Sequence, residues 1–404
     1  MNPRVLIFSS LAFLLAPVAA FAPHGIVPLV VAAAVFSLAD KRVRQGLLTK
    51  NQPVFLWLLV LAILWALITA AWTYEPMRAL RLAGSLTALL AAARTLAAAA
   101  GLLESEERNV LAKYFLLAGA ALAALLLFEN ATNGPITRLF HDFPGKMDDH
   151  MPSLNPGAAI LAVLAWPLVM AAARWRGWRW GILVLAVVAV AVFMARTKTP
   201  IIALFLSVLL FPVLAAGGRK AVRVFGALAA GFLIAAPFIY RFLLFPVAAQ
   251  GEAQAKIIRS MPTLEQRTWI WRFVVERIEQ HPFLGWGLDA SRFIEGGHEP
   301  MKGYDGRMFP ESLPLHPHNG FLQIWLELGG VGAVLIAVAL AALLFAIGKT
   351  SGNAKMAAAF FAMAVTYLVI GQVSFGVWQN WWLATAILST SLCLMMSTSD
   401  GKKR

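Results

Sequence analysis

Cysteine is almost missing from this chain: one residue in 404, Cys393, standing in the last apolar run. That excludes an internal disulfide and any cysteine-based metal site. Charge is scarce as well, at 13% of residues against 60% hydrophobic. No soluble domain needs such a ratio. Apolar runs of about eighteen residues or more recur from end to end, so the chain reads as an all-α polytopic membrane protein. Acidic residues are the scarcer sign, 20 against 34 basic, leaving a net charge of +14. The basic excess is divided among short stretches between apolar runs. That is the asymmetry of loops across a bilayer, not a nucleic-acid-binding patch. Glycine-rich nucleotide loops, zinc signatures and the serine-hydrolase elbow are absent, as is any nucleotide-binding domain or internal repeat.

Hydropathy gives about twelve spans, near 5–21, 25–39, 54–73, 79–100, 110–128, 156–173, 180–196, 200–216, 222–244, 318–347, 354–375 and 378–397. Residues 1–244 hold the first nine, 245–317 one long polar loop with short helices, and 318–404 the last three spans and a basic tail. Arg4 followed by Val5 to Phe21 could pass for a signal peptide, with Ala20-Phe21-Ala22 as its cleavage site. A retained first helix is the expectation, because the topology needs no cleavage. Every even-numbered connection is basic: Lys41, Arg42, Arg44 and Lys50; Arg108 and Lys113; Arg174, Arg176 and Arg179; Arg219, Lys220 and Arg223; Lys349 and Lys355; and the terminal Lys402, Lys403 and Arg404. These connections and both termini are expected in the cytoplasm, with the odd connections facing outward.

Two outward segments are more than turns. Glu129 to Asn155 contains His141, Asp142, Asp148, Asp149 and His150, whose spacing matches no metal-ligand pattern and reads as a solvated loop. In the long loop, Thr263 with Gln266 makes a capping box for a helix whose apolar stripe is Ile270, Phe273, Val274 and Ile278, ended by His281-Pro282. Trp271 lies one turn from Arg267 and could brace its guanidinium. A Gly285-Trp286-Gly287 turn follows, and Leu315-His316-Pro317-His318-Asn319-Gly320 joins the loop to a strongly apolar helix.

An imidazole at that junction suits proton transfer near neutrality. Asn319, Gln323 and Glu327 follow at four-residue steps on one helix face, and Gly329 and Gly332 would let another helix approach. A capped helix start with an interfacial histidine is the plain structural alternative. Arg196 and Lys198 end the seventh span on the outer side, and Arg78 and Arg81 open the fourth. With Arg267 they could form a cationic cup for phosphate oxygens, or they could snorkel to lipid headgroups. The loop carboxylates Glu252, Glu265, Asp289 and Glu311 offer other bases without a distinguishing context. With no energising domain, a reaction on the outer face needs a donor already activated, and a lipid-linked sugar diphosphate fits.

These residues resemble the O-antigen ligase family, within the wider O-antigen ligase and polymerase superfamily. His318-Asn319, nine residues, then Gly329-Gly330-Val331-Gly332 is similar to that family's His followed by Asn, Ser or Gln, with a later Gly-x-x-Gly. The long loop between the ninth and tenth spans, Arg267 early in it, and Arg196 at the end of the seventh span agree. Pro200, where members often have Leu, departs from the pattern. The resemblance implies a metal-independent, inverting glycosyltransferase of the bacterial inner membrane without a cofactor. It would move polysaccharide from undecaprenyl diphosphate to a sugar hydroxyl of lipid A–core. His318 would be the general base, chosen over His316 because Asn319 follows it. Arg196 and Arg267 would clamp the diphosphate, Lys198, Arg78 and Arg81 would add charge, and Asn319 and Gln323 would support. An O-antigen polymerase is the near alternative, disfavoured by the shortness and acidity of Glu129 to Asn155. A transporter of lipid-linked glycans is the distant one, disfavoured because the charged candidates gather at the outer edge rather than at mid-membrane.

Overall fold

The computed structural model describes residues 2–49, 52–140, 154–249, 262–303, 308–350 and 353–397. His141, Asp142, Asp148, Asp149, His150 and Glu252 lie outside the described residues. Fourteen α-helices are present among the described residues. They are α1 (Pro3–Phe21), α2 (Ile26–Ser37), α3 (Lys41–Leu47), α4 (Val54–Thr69), α5 (Pro76–Gly101), α6 (Ser105–Ala131), α7 (Pro135–Phe140), α8 (Asn155–Arg176), α9 (Trp178–Met194), α10 (Lys198–Ala249), α11 (Pro262–Gln280), α12 (Gly320–Thr350), α13 (Ala354–Gly371) and α14 (Asn380–Ser397). A two-residue antiparallel pair, β1 (Met301–Lys302) with β2 (Met308–Phe309), is the sheet structure among them. The chain is therefore an all-α polytopic membrane protein. Seven helices among the described residues are long and apolar enough to cross a membrane by length and composition, and three shorter apolar ones accompany them.

One of the seven, Lys198–Leu244, has 47 residues. Straight, it would reach roughly 70 Å, more than twice the ~30 Å hydrocarbon layer. It is broken at Gly218, which has φ +52, a left-handed conformation that glycine adopts without steric penalty. The basic run Arg219, Lys220 and Arg223 falls at the reversal, as expected for a connection between two spans. In the middle of the bundle α8 is buried along almost its whole length, and Trp166 on it donates to Ser207 Oγ at 2.9 Å and stacks on Phe211 of α10.

The basic connections meet at one end of the bundle. Arg4 pairs with Asp40 at 2.9 Å and donates to the Leu102 carbonyl. Arg108 donates to the Met395 carbonyl at 2.7 Å, Arg174 to Asn109 Oδ1 at 2.9 Å, and Lys355 lies over Trp178 at 5.9 Å. At the opposite end gather the α4–α5 connection, the α9–α10 turn, the described residues of 262–319 and the turn between α13 and α14.

The described part of the long loop is docked onto that second end. The buried stripe of α11 is Ile270, Val274, Val275 and Ile278, packed with Phe321, Leu322 and Trp325 of α12 and Leu233 of α10. Each such side chain contributes about 1.5–3 kcal/mol when withdrawn from water. The helix ends at Gln280, ahead of His281-Pro282 as expected.

Candidate active site

α12 begins at Gly320, so His318 stands before the helix and not, as expected, at its first residue. Asn319 is the cap: its Oδ1 accepts from the Leu322 N–H at 3.0 Å, and its carbonyl accepts from Gln323 N–H at 2.9 Å. His318 itself has φ +51, a left-handed conformation that costs a residue with a Cβ about 1–2 kcal/mol. Two hydrogen bonds hold it there. Its N–H donates to His316 Nδ1 at 3.1 Å, and its ring Nδ1 lies 2.9 Å from the Ser374 carbonyl oxygen. A carbonyl can only accept, so the proton of the neutral His318 ring is on Nδ1 and the lone pair on Nε2.

The two histidines are thereby differentiated. His316 Nδ1 accepts a backbone N–H, so the His316 proton is on Nε2, which faces the Gln379 amide at 3.5 Å. Turned with its oxygen toward the ring, that amide satisfies Gln379 Oε1, otherwise a buried acceptor without a partner. Burial, then the charges of His318 and Arg292, push the His316 pKa down to about 3. His316 is a neutral structural ring across the working pH range, and Gly376 is what lets it in: a Cβ there would sit 3.1 Å from the imidazole. Burial also lowers the His318 pKa; the Ser374 carbonyl works against that, and the Arg267 guanidinium adds to the depression. Arg267 is thus within electrostatic reach of the His318 ring, and burial lowers its own pKa.

Beneath the histidines lies Glu327, fully buried in α12. Its Oε2 accepts from the Asp289 N–H at 2.6 Å and from Trp378 Nε1 at 2.7 Å. Its Oε1 accepts from Gln323 Nε2 at 3.0 Å and from the Ser291 hydroxyl. Gln323 Oε1 in turn accepts from the Val377 N–H at 2.9 Å. Four donors from three separate parts of the chain satisfy one carboxylate.

Arg78 reaches the same place from α5. It pairs with Asp289 at 3.1 Å and lies over Phe293 at 5.4 Å, while Arg292 pairs with Asp289 at 2.9 Å and bears electrostatically on His316. Arg81 is exposed one turn further along α5. Arg196, with φ +55, sits exposed in the turn between α9 and α10, and Lys198 sits exposed as the first residue of α10, at the same end of the bundle. Trp271 donates to the Pro317 carbonyl at 3.0 Å and packs edge-on against Tyr240, fixing the approach to His318. Of the loop carboxylates, Asp289 is committed to two arginines, Glu311 faces His298 at 3.4 Å, and Glu265 is buried.

Gly329 breaks α12 with φ +63, and what approaches it is the loop turn, not the helix expected there. A Cβ on Gly329 would lie 2.3 Å from the Phe283 carbonyl oxygen, and one on Gly285 2.5 Å from that of Glu327. The carbonyls freed by the break accept from Trp286 N–H at 2.9 Å, Gly287 N–H at 2.8 Å and Trp65 Nε1 at 2.9 Å. Gly330 and Val331 N–H donate to the Pro282 and Phe283 carbonyls in return. Gly332 faces its own helix, against Leu328.

Arg292, Ser291, Ser374, Trp378 and Gln379 carried no sequence signal, and Asp289 stood among four loop carboxylates with nothing to single it out. Glu327 did: an ionisable residue inside an apolar span marks a functional site by default.

The fold and site define a multi-pass membrane protein with a histidine–arginine centre where a docked loop meets the bundle. Residues 181–337, from α9 to past the break in α12, match the O-antigen ligase family. Proteins named as polysaccharide ligases match over most of their length. That of Rickettsia conorii is 31% identical over 293 residues, covering 71% of this chain and 67% of the relative. Those of Rickettsia felis and Rickettsia prowazekii are 30% identical over 300 and 302 residues, covering 71% and 72% of this chain and 68% and 70% of the relatives. The chain belongs to the O-antigen ligase family.

Proposed function

We propose that this protein is a polysaccharide ligase of the inner membrane that transfers polysaccharide from undecaprenyl diphosphate to a sugar hydroxyl of lipid A–core on the periplasmic side. The observation that carries this reading is His318, with Nδ1 committed to the Ser374 carbonyl, Nε2 left as a base, and Arg267 within electrostatic reach. Nε2 removes the proton of the acceptor hydroxyl as its oxygen attacks the anomeric carbon from the face opposite the diphosphate. The glycosidic C–O bond to the diphosphate breaks as the new one forms, so the configuration inverts. Arg267 and Arg196 take the charge that develops on the departing diphosphate, where other enzymes use a metal ion. Lys198, Arg78 and Arg81 add positive charge at the same rim, and Asn319 and Gln323 hold the helix start and the turn on either side of the base.

The test is complementation. A strain lacking its ligase regains a polymer ladder on lipid A–core when it carries this gene, and His318→Ala does not restore it. The purified enzyme keeps its activity in chelator. A full ladder with His318→Ala removes the base assignment. Polymer lengthened on the lipid carrier without transfer to lipid A–core makes the protein a polymerase. Strict dependence on added divalent metal removes the arginine clamp.

A further inference from the structure

Glu327 is a buried carboxylate that the reaction above does not use, and among the described residues it is the one tied to the turn behind His318. It is fully buried, fifty residues from Val377 in sequence, and its four donors come from the loop at Asp289 and Ser291, from its own helix at Gln323, and from the α13–α14 turn at Trp378. That turn also carries the Ser374 carbonyl that holds His318 Nδ1. The link between the two is short: Glu327 orients the Gln323 amide, whose oxygen accepts from Val377 N–H, and grips Trp378 next door. The same carboxylate fixes the backbone at Asp289, and so the Asp289 side chain that pairs with Arg292 and Arg78.

We propose that Glu327 is the positioning residue for the base: by accepting from Trp378 and from Gln323 it fixes the 374–378 turn so that the Ser374 carbonyl meets His318 Nδ1 and Nε2 faces the acceptor. This rests on His318 being the base.

An amide at this position fails for a specific reason. If Gln replaces Glu with its NH2 at the Oε2 site, it faces a backbone N–H and an indole N–H, neither of which can accept. With its NH2 at the Oε1 site, the Ser291 hydroxyl can rotate to accept, but Gln323 must flip. Its NH2 then confronts the Val377 N–H. The less unfavourable arrangement therefore transfers the conflict to the turn that orients His318, while shape and volume stay the same.

The experiment uses the full-length enzyme in lipid nanodiscs, with undecaprenyl-diphosphate-linked polysaccharide and lipid A–core, and compares Glu327→Gln with His318→Ala. Glu327→Gln is expected to lower kcat about 10–100-fold, the scale of losing a residue that orients a reacting ligand, with both KM values within about threefold. The acid limb of kcat/KM is expected to move to lower pH, because the Ser374 bond is what raises the His318 pKa against burial and Arg267, with His316 remaining neutral. A carboxylate that only supports folding lowers the melting temperature and leaves the limb in place, and that result overturns the inference. Wild-type kcat and limb in Glu327→Gln, with His318→Ala inactive, overturns it too and leaves the base assignment standing. An active His318→Ala overturns both. If Glu327→Gln does not accumulate folded, Gln323→Leu removes the same bridge to Val377: it is expected to give the same kcat-selective loss and limb shift, and wild-type behaviour overturns the inference.

Discussion

Two histidines one residue apart do opposite things, and the difference lies in which nitrogen each has free. His316 gives Nδ1 to a backbone N–H and its proton to a glutamine; His318 gives its proton to a carbonyl and keeps Nε2. His316 has a consequence for stability. Its pKa falls from an ordinary 6.5 to about 3 on folding, so between those values the unfolded chain binds the proton and the folded one does not. Stability rises with pH there. The contribution is complete above 6.5 and lost progressively as pH falls toward 3, reaching about 2 kcal/mol of loss by roughly pH 5. His318 shifts in the same direction. The melting temperature of the purified protein is expected to drop between about pH 7.5 and pH 5. His316→Asn, which keeps an acceptor for the His318 N–H, is expected to flatten that drop. An unchanged pH dependence would show that His316 is not the titrating group.

At the scale of elements, the seam between loop and bundle is built from backbone. Gly285 and Gly329 face each other so closely that a Cβ on either meets main-chain atoms within 2.5 Å, and both have positive φ. Gly285→Ala or Gly329→Ala is expected to lower stability by at least the ~1–2 kcal/mol of the left-handed conformation. The loop should also become sensitive to protease between 281 and 317. Gly84→Ala on α5, where a Cβ meets nothing within 4 Å, serves as the control and is expected to be near neutral. Protection of the loop in Gly329→Ala equal to that in Gly84→Ala would mean that the seam does not hold it. The stripe on α11 was legible from its apolar spacing. The break at Gly329 was not, because a glycine in an apolar run looks the same whether a helix or a turn packs on it.

For the whole molecule, the alternation of basic and neutral connections is matched by the bundle, whose basic connections meet at one end through Arg4, Arg108, Arg174 and Lys355. With Cys393 replaced by Ser, an impermeant maleimide is expected to label Lys198→Cys and Glu295→Cys in intact spheroplasts. Lys41→Cys and Arg219→Cys should react only after lysis. The reverse pattern would put the His318 site in the cytoplasm and end the proposal for a periplasmic ligase.

By itself the sequence determined what short-range chemistry determines: which stretches are apolar enough for lipid, which connections are basic, where α11 ends, and that a span opens just after His318-Asn319. The capping box read at Thr263 and Gln266 lies inside the helix, which already includes Pro262. It could also be matched to its family through one histidine, two arginines and a glycine pair. Only the tertiary structure decided which histidine keeps a free Nε2, that Arg78 of α5 pairs with Asp289 of the loop, and that Glu327 ties the loop to the turn behind the base. The reason is physical. Each of those facts depends on a hydrogen bond or ion pair between residues dozens or hundreds of positions apart. No periodicity or spacing records such a bond until the helices have packed.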